Sequence, residues 1–341
     1  MDILKRIIDL ARAKSAAVVF AEGDEERTLE AAVRLAKDGI CRSFVVAQDA
    51  KLIEDTAKRK SLDISWVTML VPSAGLLDEE VYGKFVAARV AKGLAKADAE
   101  KLVLDPLYFS ALMVESNKAE AGIAGARSDT GDVIRAALAC VGTASGIKLI
   151  SSYFLMIPPE NHPVFTMPVL YADCAVNPAP GALALKDIAV ETVDTFKCLF
   201  PGETAKAAFL SFSTKGSAKH ASLQKIIEAA EATKEHFGGD TAVKIDGEIQ
   251  FDASVMPEIA KRKAPGSPLE GKANIFVFPD LNSGNIAYKL TERLAGFMAL
   301  GPVLQGLGKP FSDLSRGCSV EDIYNISAVT LLGSKKTAVN S

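Results

Sequence analysis

The sequence of 341 residues lacks several features that usually reveal a protein's function. It has no GxxxxGK[ST] phosphate loop, no GxGxxG fingerprint, no HExxH metal motif and no GxSxG nucleophile elbow. Histidine is scarce: His162, His220 and His236 are the only three, and none stands beside a plausible nucleophile in the sequence. A histidine base is therefore less expected than usual, and carboxylates and arginines become the first candidates for catalysis.

Cysteine is sparse as well, and its spacing is irregular. The five cysteines are far apart and include no CxxC pair or zinc spacing; they are Cys41, Cys140, Cys174, Cys198 and Cys318. This pattern argues against a disulfide framework or a structural metal and favours a reducing compartment. The N-terminal residues 1–14 read as an amphipathic helix, and no run reaches the ~18 apolar residues of a membrane span. We therefore expect a soluble, cytoplasmic protein.

The chain has no large net charge of either sign. The formal net charge is -3, so the sequence offers no electrostatic case for binding nucleic acid or an anionic membrane. Any anion-binding site must therefore come from cations placed locally. The hydrophobic fraction of 49% and the length are ordinary for a globular protein with two domains.

Short apolar, β-branched runs alternate with helical patterns, which predicts an α/β fold with a largely parallel sheet. The predicted strands are residues 17–20, 43–47, 64–71, 147–151, 207–211 and 274–278. The predicted helices are residues 25–38, 132–141, 183–199, 217–236 and 285–300. No linker rich in Pro, Gly or Ser marks a domain boundary, which is compatible with domains that exchange chain segments.

The segment from Gly301 to Asp322 joins a loop rich in glycine, proline and serine to the start of an apolar helical pattern. Ser319 is a natural N-cap, and Asp322 lies three residues on, at the acidic position of a capping box. Two interpretations follow. Asp322 can simply begin the helix, or it can act as a base beside an anion site formed by the helix N-terminus and Arg316.

Two further arginines lie near predicted helix starts, where a cation opposes the helix dipole unless an anion is bound nearby. Arg27 follows three acidic residues, so a solvated ion-pair cluster competes with a substrate-binding role. Arg135 has only Asp132 within one turn and is the better candidate for a substrate contact.

Polar side chains also follow other predicted strands. Ser213 and Thr214 form a hydroxyl-rich turn where ligands of open α/β sheets gather, although a plain strand-to-helix loop is about equally expected. Asp173 and Asn177 lie in an ADCAVNP segment that is interpreted as a turn.

Longer segments resemble the phosphate acetyltransferase (phosphotransacetylase) family. They are ADCAVNPAP (172–180), LSFSTKGSAK (210–219), AKRKAP (260–265), ANIFVFPDLNSGNIAYKLTER (273–293) and GPVLQGLGKPFSDLSRGCSVEDI (301–323). The resemblance covers nearly the whole chain, is strongest after about residue 145, and fits the short form of the family. It implies reversible transfer of an acetyl group between acetyl phosphate and coenzyme A. Coenzyme A is then a substrate, with no tightly bound cofactor and no metal, and activation by potassium or ammonium stays open.

The resemblance also implies an architecture. It is a two-domain α/β fold like that of isocitrate and isopropylmalate dehydrogenases, with parallel or mixed sheets and an interdomain cleft. The first domain would comprise residues 1–146 plus 304–341. The second, inserted domain would comprise residues 147–303 and provide the interface of a homodimer.

The resemblance assigns roles to individual residues. Asp322 matches the general base, and Arg316 with Ser315 matches the site that holds the phosphate and the reacting carbonyl. The other cations match substrate-binding positions: Arg135, Arg89 and Arg27 match arginines of three family motifs, and Lys289 with Arg293 resemble the cations that meet the nucleotide end of coenzyme A. The chain departs from the family at Ser128–Asp129–Thr130, where many members have His-Ser-Thr.

Several alternatives stay open at this point. The acyl group would be butyryl or propionyl in a close variant, and a relative that acts in ethanolamine breakdown would carry the same motifs. A decarboxylating dehydrogenase of this fold would need a cluster of metal-binding aspartates, which the sequence does not show. A non-catalytic binding protein would not need Ser315, Arg316 and Asp322 together. Cys318 would be the nucleophile of a rival scheme, but no base is paired with it in the sequence.

Overall fold

The computed structural model describes residues 3–333, so the ends of the predicted first domain, residues 1–2 and 334–341, lie outside the described residues. Up to residue 145 the elements are α1 (Ile3–Ala13), β1 (Ala17–Phe20), α2 (Glu26–Lys37), β2 (Arg42–Val46), α3 (Ala50–Lys60), β3 (Val67–Leu70), α4 (Glu79–Ala91), α5 (Lys96–Val103), α6 (Pro106–Glu115), β4 (Ala121–Ala124) and α7 (Thr130–Cys140). The remaining elements are β5 (Ser151–Ile157), β6 (Val169–Ala172), α8 (Ala182–Leu199), β7 (Ala205–Leu210), α9 (Ala221–His236), β8 (Val243–Ile249), α10 (Phe251–Val255), α11 (Pro257–Lys263), β9 (Ile275–Val277), α12 (Leu281–Ala295), β10 (Met298–Gln305), β11 (Phe311–Asp313) and α13 (Val320–Leu332). Single 3₁₀ turns occur at Ile64–Trp66 and Ala74–Leu76.

The chain forms two compact units. One comprises the residues up to Ser145 together with those from Leu307 onward, and the other runs from Gly146 to Gly306. The first unit is thus discontinuous in sequence.

A five-stranded sheet lies in the first unit, with strand order β11-β4-β1-β2-β3 and every pair parallel. Its central strand β1 has the sequence AVVF and is buried throughout, as expected for a strand covered on both faces. The edge strand β11 comes from the C-terminal part of the chain and pairs with β4. Helix α13 is buried from Ile323 to Leu332, and α1 packs against it.

The second unit contains a six-stranded mixed sheet with strand order β10-β5-β6-β9-β7-β8. Strand β5 is antiparallel to both β10 and β6, whereas the pairs β6–β9, β9–β7 and β7–β8 are parallel. Aromatic side chains fill one part of this core: Phe154 stacks on Tyr288 with ring centroids 3.9 Å apart, and Tyr171 meets Phe276 edge-on at 5.4 Å.

The predicted α/β class with parallel and mixed sheets is confirmed, but several element predictions are wrong. Residues 64–66 of a predicted strand form a 3₁₀ turn, and the helix predicted from residue 217 begins at Ala221. Strands β4, β6, β8, β10 and β11 are not among the predicted strands. Residues 147–150 are irregular, and the strand expected there begins at Ser151. The helix expected to reach residue 300 ends at Ala295, because Gly296 adopts the left-handed conformation with φ 71° at its C-cap. The chain then continues as strand β10.

Within residues 3–333, no helix combines the length and the apolar character that crossing a lipid bilayer requires.

Candidate functional site

The carboxyl ends of β1, β4 and β11 lie side by side in the first sheet, and polar side chains gather in the loops that follow them. These loops comprise residues 21–25, 125–129 and 314–319. Because the strands are parallel, the loops leave the same edge of the sheet, where ligands of open α/β sheets bind. We call these three loops, with the first turns of α2, α7 and α13, the edge site.

A buried carboxylate organises the loop between β4 and α7. Glu22 accepts hydrogen bonds from the backbone N–H groups of Gly125, Arg127 and Ser128 at 2.7–3.3 Å. Arg127 in turn donates through both terminal nitrogens to Asp24, at 2.9 and 3.0 Å. Acidic residues at the end of β1 therefore fix the path of the chain into α7.

Arg27 connects the three loops of the edge site by hydrogen bonds. Its Nη1 donates to the carbonyls of Arg316 and Cys318 at 2.8 and 2.7 Å, and its Nη2 donates to that of Ala126 at 2.9 Å. Its Nε donates to Glu25 at 2.8 Å, so the ion pair expected from the acidic neighbours is present. Four of the five N–H groups are thus engaged within the protein. This geometry favours a positioning role for Arg27, and a direct substrate contact stays a prediction.

The start of α13 has the capping box expected from the sequence. The Ser319 hydroxyl accepts from the backbone N–H of Asp322 at 3.1 Å, and Asp322 Oδ2 accepts from the backbone N–H and the hydroxyl of Ser319 at 2.8 Å each. Among residues 3–333, every hydrogen bond to this carboxylate falls on Oδ2. Asp322 therefore caps the helix and still has Oδ1 available to another donor.

The Arg316 side chain extends toward Asp129 at the start of α7. Its Nη1 lies 3.0 Å from Asp129 Oδ1, and the two side chains are 70% and 67% exposed. Just before it, Ser315 Oγ accepts from the backbone N–H of Gly317 at 3.3 Å. Ser315, Arg316 and Asp322 thus lie within one loop and one helical turn, together with the N-terminus of α7.

Arg135 and Arg89 lie on α7 and α4 of the same unit. Arg135 pairs with the carboxylate of Asp132 on the exposed face of α7. The guanidinium carbon of Arg89 lies 5.5 Å from the centroid of the Phe85 ring. The Nε of Arg89 is buried and has no hydrogen-bond partner among the described residues.

Asp313, the last residue of β11, directly precedes the edge site and was missed by sequence reasoning. It is only 1% exposed and accepts a 2.6 Å hydrogen bond from Thr130 Oγ1 through Oδ2. Oδ1 has no partner in the described part of the chain. Gly125 leaves room for it: its φ is +103°, and a Cβ there would lie 2.2 Å from Asp313 Oδ1.

The environment of Asp313 disfavours its charge. Burial raises the pKa of Asp313 to about 7, the hydrogen bond from Thr130 acts in the opposite direction, and the nearby Glu22 carboxylate adds to the increase. The only sequence signal for this group was an acid in the short stretch Phe311–Asp313, which is too short and too polar to be recognised as a strand.

Cys318 is buried in the edge site, where its sulfur lies 3.9 Å from Arg27 Nη1. Burial raises the pKa of its thiol to about 11; Arg27 opposes this shift, whereas Asp322 and Glu25 reinforce it. The group is therefore a protonated thiol at neutral pH, which is a weak nucleophile. This favours the interpretation of Cys318 as a packed cysteine.

Ser213 and Thr214 lie in the second unit, and both are buried. Ser213 Oγ donates to Glu248 at 2.9 Å and accepts from the backbone N–H of Ala218 at 3.1 Å. Thr214 Oγ1 accepts from the backbone N–H of Gln250 at 2.9 Å. These hydroxyls hold the strand-to-helix loop together, and their binding of substrate stays a prediction.

Lys289 and Arg293 lie one turn apart on the exposed face of α12, as the sequence indicated. The Lys289 ammonium lies 5.8 Å from the centroid of the Tyr288 ring, and Arg293 Nε lies 3.5 Å from Glu292. Both cations are accessible to solvent, and their contact with coenzyme A stays a prediction.

Asp173 has the turn-building role expected of it. Its Oδ1 accepts from Ser152 and from the backbone N–H groups of Ala175 and Val176, and its Oδ2 accepts from the backbone and side chain of Asn177. Both oxygens are thus satisfied within the turn.

Comparison with known proteins agrees with the family resemblance. Residues 2–331 match the family model described as phosphate acetyl/butaryl transferase. A protein from Clostridium acetobutylicum named phosphate acetyltransferase is 41% identical over 336 residues, which cover 98% of this chain and 99% of that protein. A second relative with this name, from Staphylococcus epidermidis, is 40% identical over 331 residues, covering 96% and 98%.

Solved structures show the same relationship. The EutD phosphotransacetylase from Staphylococcus aureus superimposes with a TM-score of 0.87 at 38% identity, covering 97% of this chain and 98% of that one. A 4-hydroxythreonine-4-phosphate dehydrogenase from Klebsiella pneumoniae gives a TM-score of 0.55 at 10% identity, covering 94% and 100%. The latter likeness concerns the fold alone and agrees with the dehydrogenase-like architecture. On the family model and on relatives of about 40% identity over nearly its full length, this chain belongs to the phosphate acetyl/butaryl transferase family.

Proposed function

We propose that this chain is a phosphate acetyltransferase, which interconverts acetyl-CoA plus phosphate with coenzyme A plus acetyl phosphate. The observation that carries the proposal is the proximity of Ser315, Arg316 and Asp322 at the head of α13, in a chain whose relatives bear that name. A binding protein that only kept the fold would have no need for this combination.

In the proposed mechanism, Asp322 removes the proton of the coenzyme A thiol. A free thiol has a pKa of about 8.5, so at neutral pH it is mostly protonated and needs a base. Asp322 is suited to this role because its hydrogen bonds to Ser319 involve Oδ2 and leave Oδ1 available. The sulfur then attacks the acetyl carbonyl carbon, the bond from that carbon to the phosphate oxygen breaks, and phosphate leaves with the electron pair.

Negative charge develops on the carbonyl oxygen and on the departing phosphate during this step. We propose that Arg316 stabilises it, with Arg135, Arg89 and backbone N–H groups near Ser315. Support comes from the accessible guanidinium of Arg316 and the unpartnered Nε of Arg89. Lys289 and Arg293 are proposed to hold the nucleotide end of coenzyme A, since both are exposed cations on one helix face.

The direct test is the formation of acyl-CoA by the purified protein from coenzyme A and acetyl phosphate, followed by thioester absorbance. We expect turnover, with acetyl phosphate preferred over propionyl and butyryl phosphate in kcat/KM. A higher kcat/KM for butyryl phosphate would shift the proposal to a longer acyl group. A protein that binds coenzyme A but shows no turnover with any of the three would contradict the enzymatic proposal.

Replacement of Cys318 by Ala should leave most of the activity in place. The thiol is buried beside Arg27 and protonated at neutral pH, so it is a weak nucleophile. In the proposed mechanism coenzyme A attacks the acetyl carbonyl directly, and this step does not require Cys318. The checks are steady-state kinetics and alkylation by iodoacetamide, which should modify the exposed Cys198 well before Cys318. An inactive Cys318→Ala enzyme, with ping-pong kinetics in the parent, would instead indicate an acetyl-cysteine intermediate.

We further propose a homodimer that forms through the second unit. Helix α12 exposes an apolar stripe at positions i, i+4 and i+8, where Ile286, Leu290 and Leu294 are 56%, 52% and 81% exposed. Contiguous exposed apolar groups of this kind mark association surfaces. Sedimentation velocity of the purified chain tests the proposal. The cytosol is the proposed compartment, since no disulfide joins any two of the five cysteines, all of which lie in the described part of the chain.

A further inference from the structure

Asp129 occupies the N-cap position of α7 but does not cap it. Aspartate is among the best N-cap residues because its carboxylate usually accepts from a backbone N–H of the first turn. Here the side chain makes no such bond, and its Oδ1 lies 3.0 Å from Arg316 Nη1 instead. The Asp129 carboxylate is thus directed at the cation that we assign to the substrate anion.

The position of this carboxylate resembles that of a bound anion. It lies between the N-terminus of a helix, which is the positive end of the helix dipole, and a guanidinium group. Among residues 3–333, Asp129 provides the only ion pair of Arg316. A phosphate that binds Arg316 must therefore displace this carboxylate or share the guanidinium with it.

We propose that Asp129 is an internal competitor for the substrate anion at Arg316, and that it sets the affinity of the enzyme for phosphate and acetyl phosphate. This inference rests on the proposed function, in which Arg316 contacts the phosphate. Removal of the Asp129 charge should free the guanidinium and remove a repulsion against the incoming dianion. The affinity for phosphate should then increase, in contrast to the loss expected from most changes near an active site.

The expected change in the KM for phosphate follows from the solvent exposure of Asp129 and Arg316. Both partners are largely accessible to water, where ion pairs are weak. We therefore expect Asp129→Asn to lower the KM for phosphate and for acetyl phosphate by about 3- to 10-fold, rather than by orders of magnitude. The KM for coenzyme A should not change, which gives an internal reference within the same protein.

The experiment compares Asp129→Asn and Asp129→Ser with the parent enzyme. Asn and Ser are both good N-cap residues, so α7 should keep its start. A matched control is Asp240→Asn, which removes the same charge from the exposed Lys197–Asp240 pair at 2.8 Å in the second unit. This control should leave the KM for phosphate unchanged. A misfolded variant would not bind phosphate more tightly, so the expected direction of change cannot arise from lost structure.

Arg316→Gln separates failure of this inference from failure of the proposed function. If the arginine binds phosphate, its loss should raise the KM for phosphate, and Asp129→Asn should have no further effect in that background. An unchanged or higher KM in both Asp129 variants, with a raised KM in Arg316→Gln, would overturn the inference alone. An unchanged KM in Arg316→Gln would overturn the assigned role of Arg316, and the inference with it.

Discussion

Replacement of Asp322 by Asn should lower kcat by roughly 10²–10⁴-fold, the usual contribution of a general base. The amide cannot take a proton from the thiol of coenzyme A. It can still accept from the backbone N–H of Ser319, so the first turn of α13 should persist. We therefore expect a folded enzyme with nearly normal thermal unfolding and a very low turnover number. Stopped-flow thioester formation and a thermal melt of the same preparation provide the measurement.

Ser319→Ala is the matched control for this prediction. It breaks the same capping box from the other side, because the hydroxyl no longer accepts from the N–H of Asp322, but the carboxylate remains. Loss of such a cap typically costs about 1 kcal/mol of stability, with little direct effect on chemistry. If Asp322→Asn and Ser319→Ala showed the same small loss of kcat, helix capping would account for Asp322, and the base would have to be another group.

Replacement of Asp313 by Asn should change the pH dependence of stability. The pKa of this carboxyl is about 7 in the folded protein, chiefly because of burial, against 3.8 for an ordinary aspartate. Well below pH 3.8, both the folded and the unfolded chain keep the proton. As the pH rises from about 4 to about 7, only the unfolded chain readily ionises, so the parent loses stability through this group over that window.

The size of this loss is of the order of 3–4 kcal/mol, since each pKa unit corresponds to about 1.4 kcal/mol. Asn resembles the protonated acid and can still accept the hydrogen bond from Thr130. The stability of Asp313→Asn relative to the parent should thus increase from pH 4 to pH 8. Urea denaturation at several pH values measures the difference in free energy of unfolding between the two proteins. The contributions of the other titrating groups are the same in both and cancel in this difference. A difference that does not vary with pH would show that Asp313 is charged in the native state.

Local patterns account for the parts of the fold that were predicted well. Strand β1 has a β-branched run that is buried throughout, and α13 follows a capping pair that lies within four residues of sequence. Two of the strands that were missed, β10 and β11, lack such signals. Strand β10 contains Gly301 and Pro302, and β11 has only three residues. Their pairing depends on partners far away in the sequence, which no local pattern specifies.

The same distinction applies to the edge site. The capping pair of Ser319 and Asp322 was predicted because it is local. The hydrogen bond between Thr130 and Asp313 joins residues 183 positions apart, and the pairing of Asp129 with Arg316 also requires the folded sheet. The hydrogen bonds of Ser213 to Glu248 and of Thr214 to Gln250 likewise join residues more than 30 positions apart in the sequence, and no local pattern specifies them.

The arrangement of the first sheet also affects how the protein is made. The outer side of β4 is covered only by β11, which begins at Phe311, and α1 packs on α13, which begins at Val320. While the ribosome is still translating the second unit, the nascent first unit has an open strand edge and lacks its last buried helix. Its completion must therefore await translation of residues 311–332. We expect chaperones that shield strand edges to engage the chain during this interval.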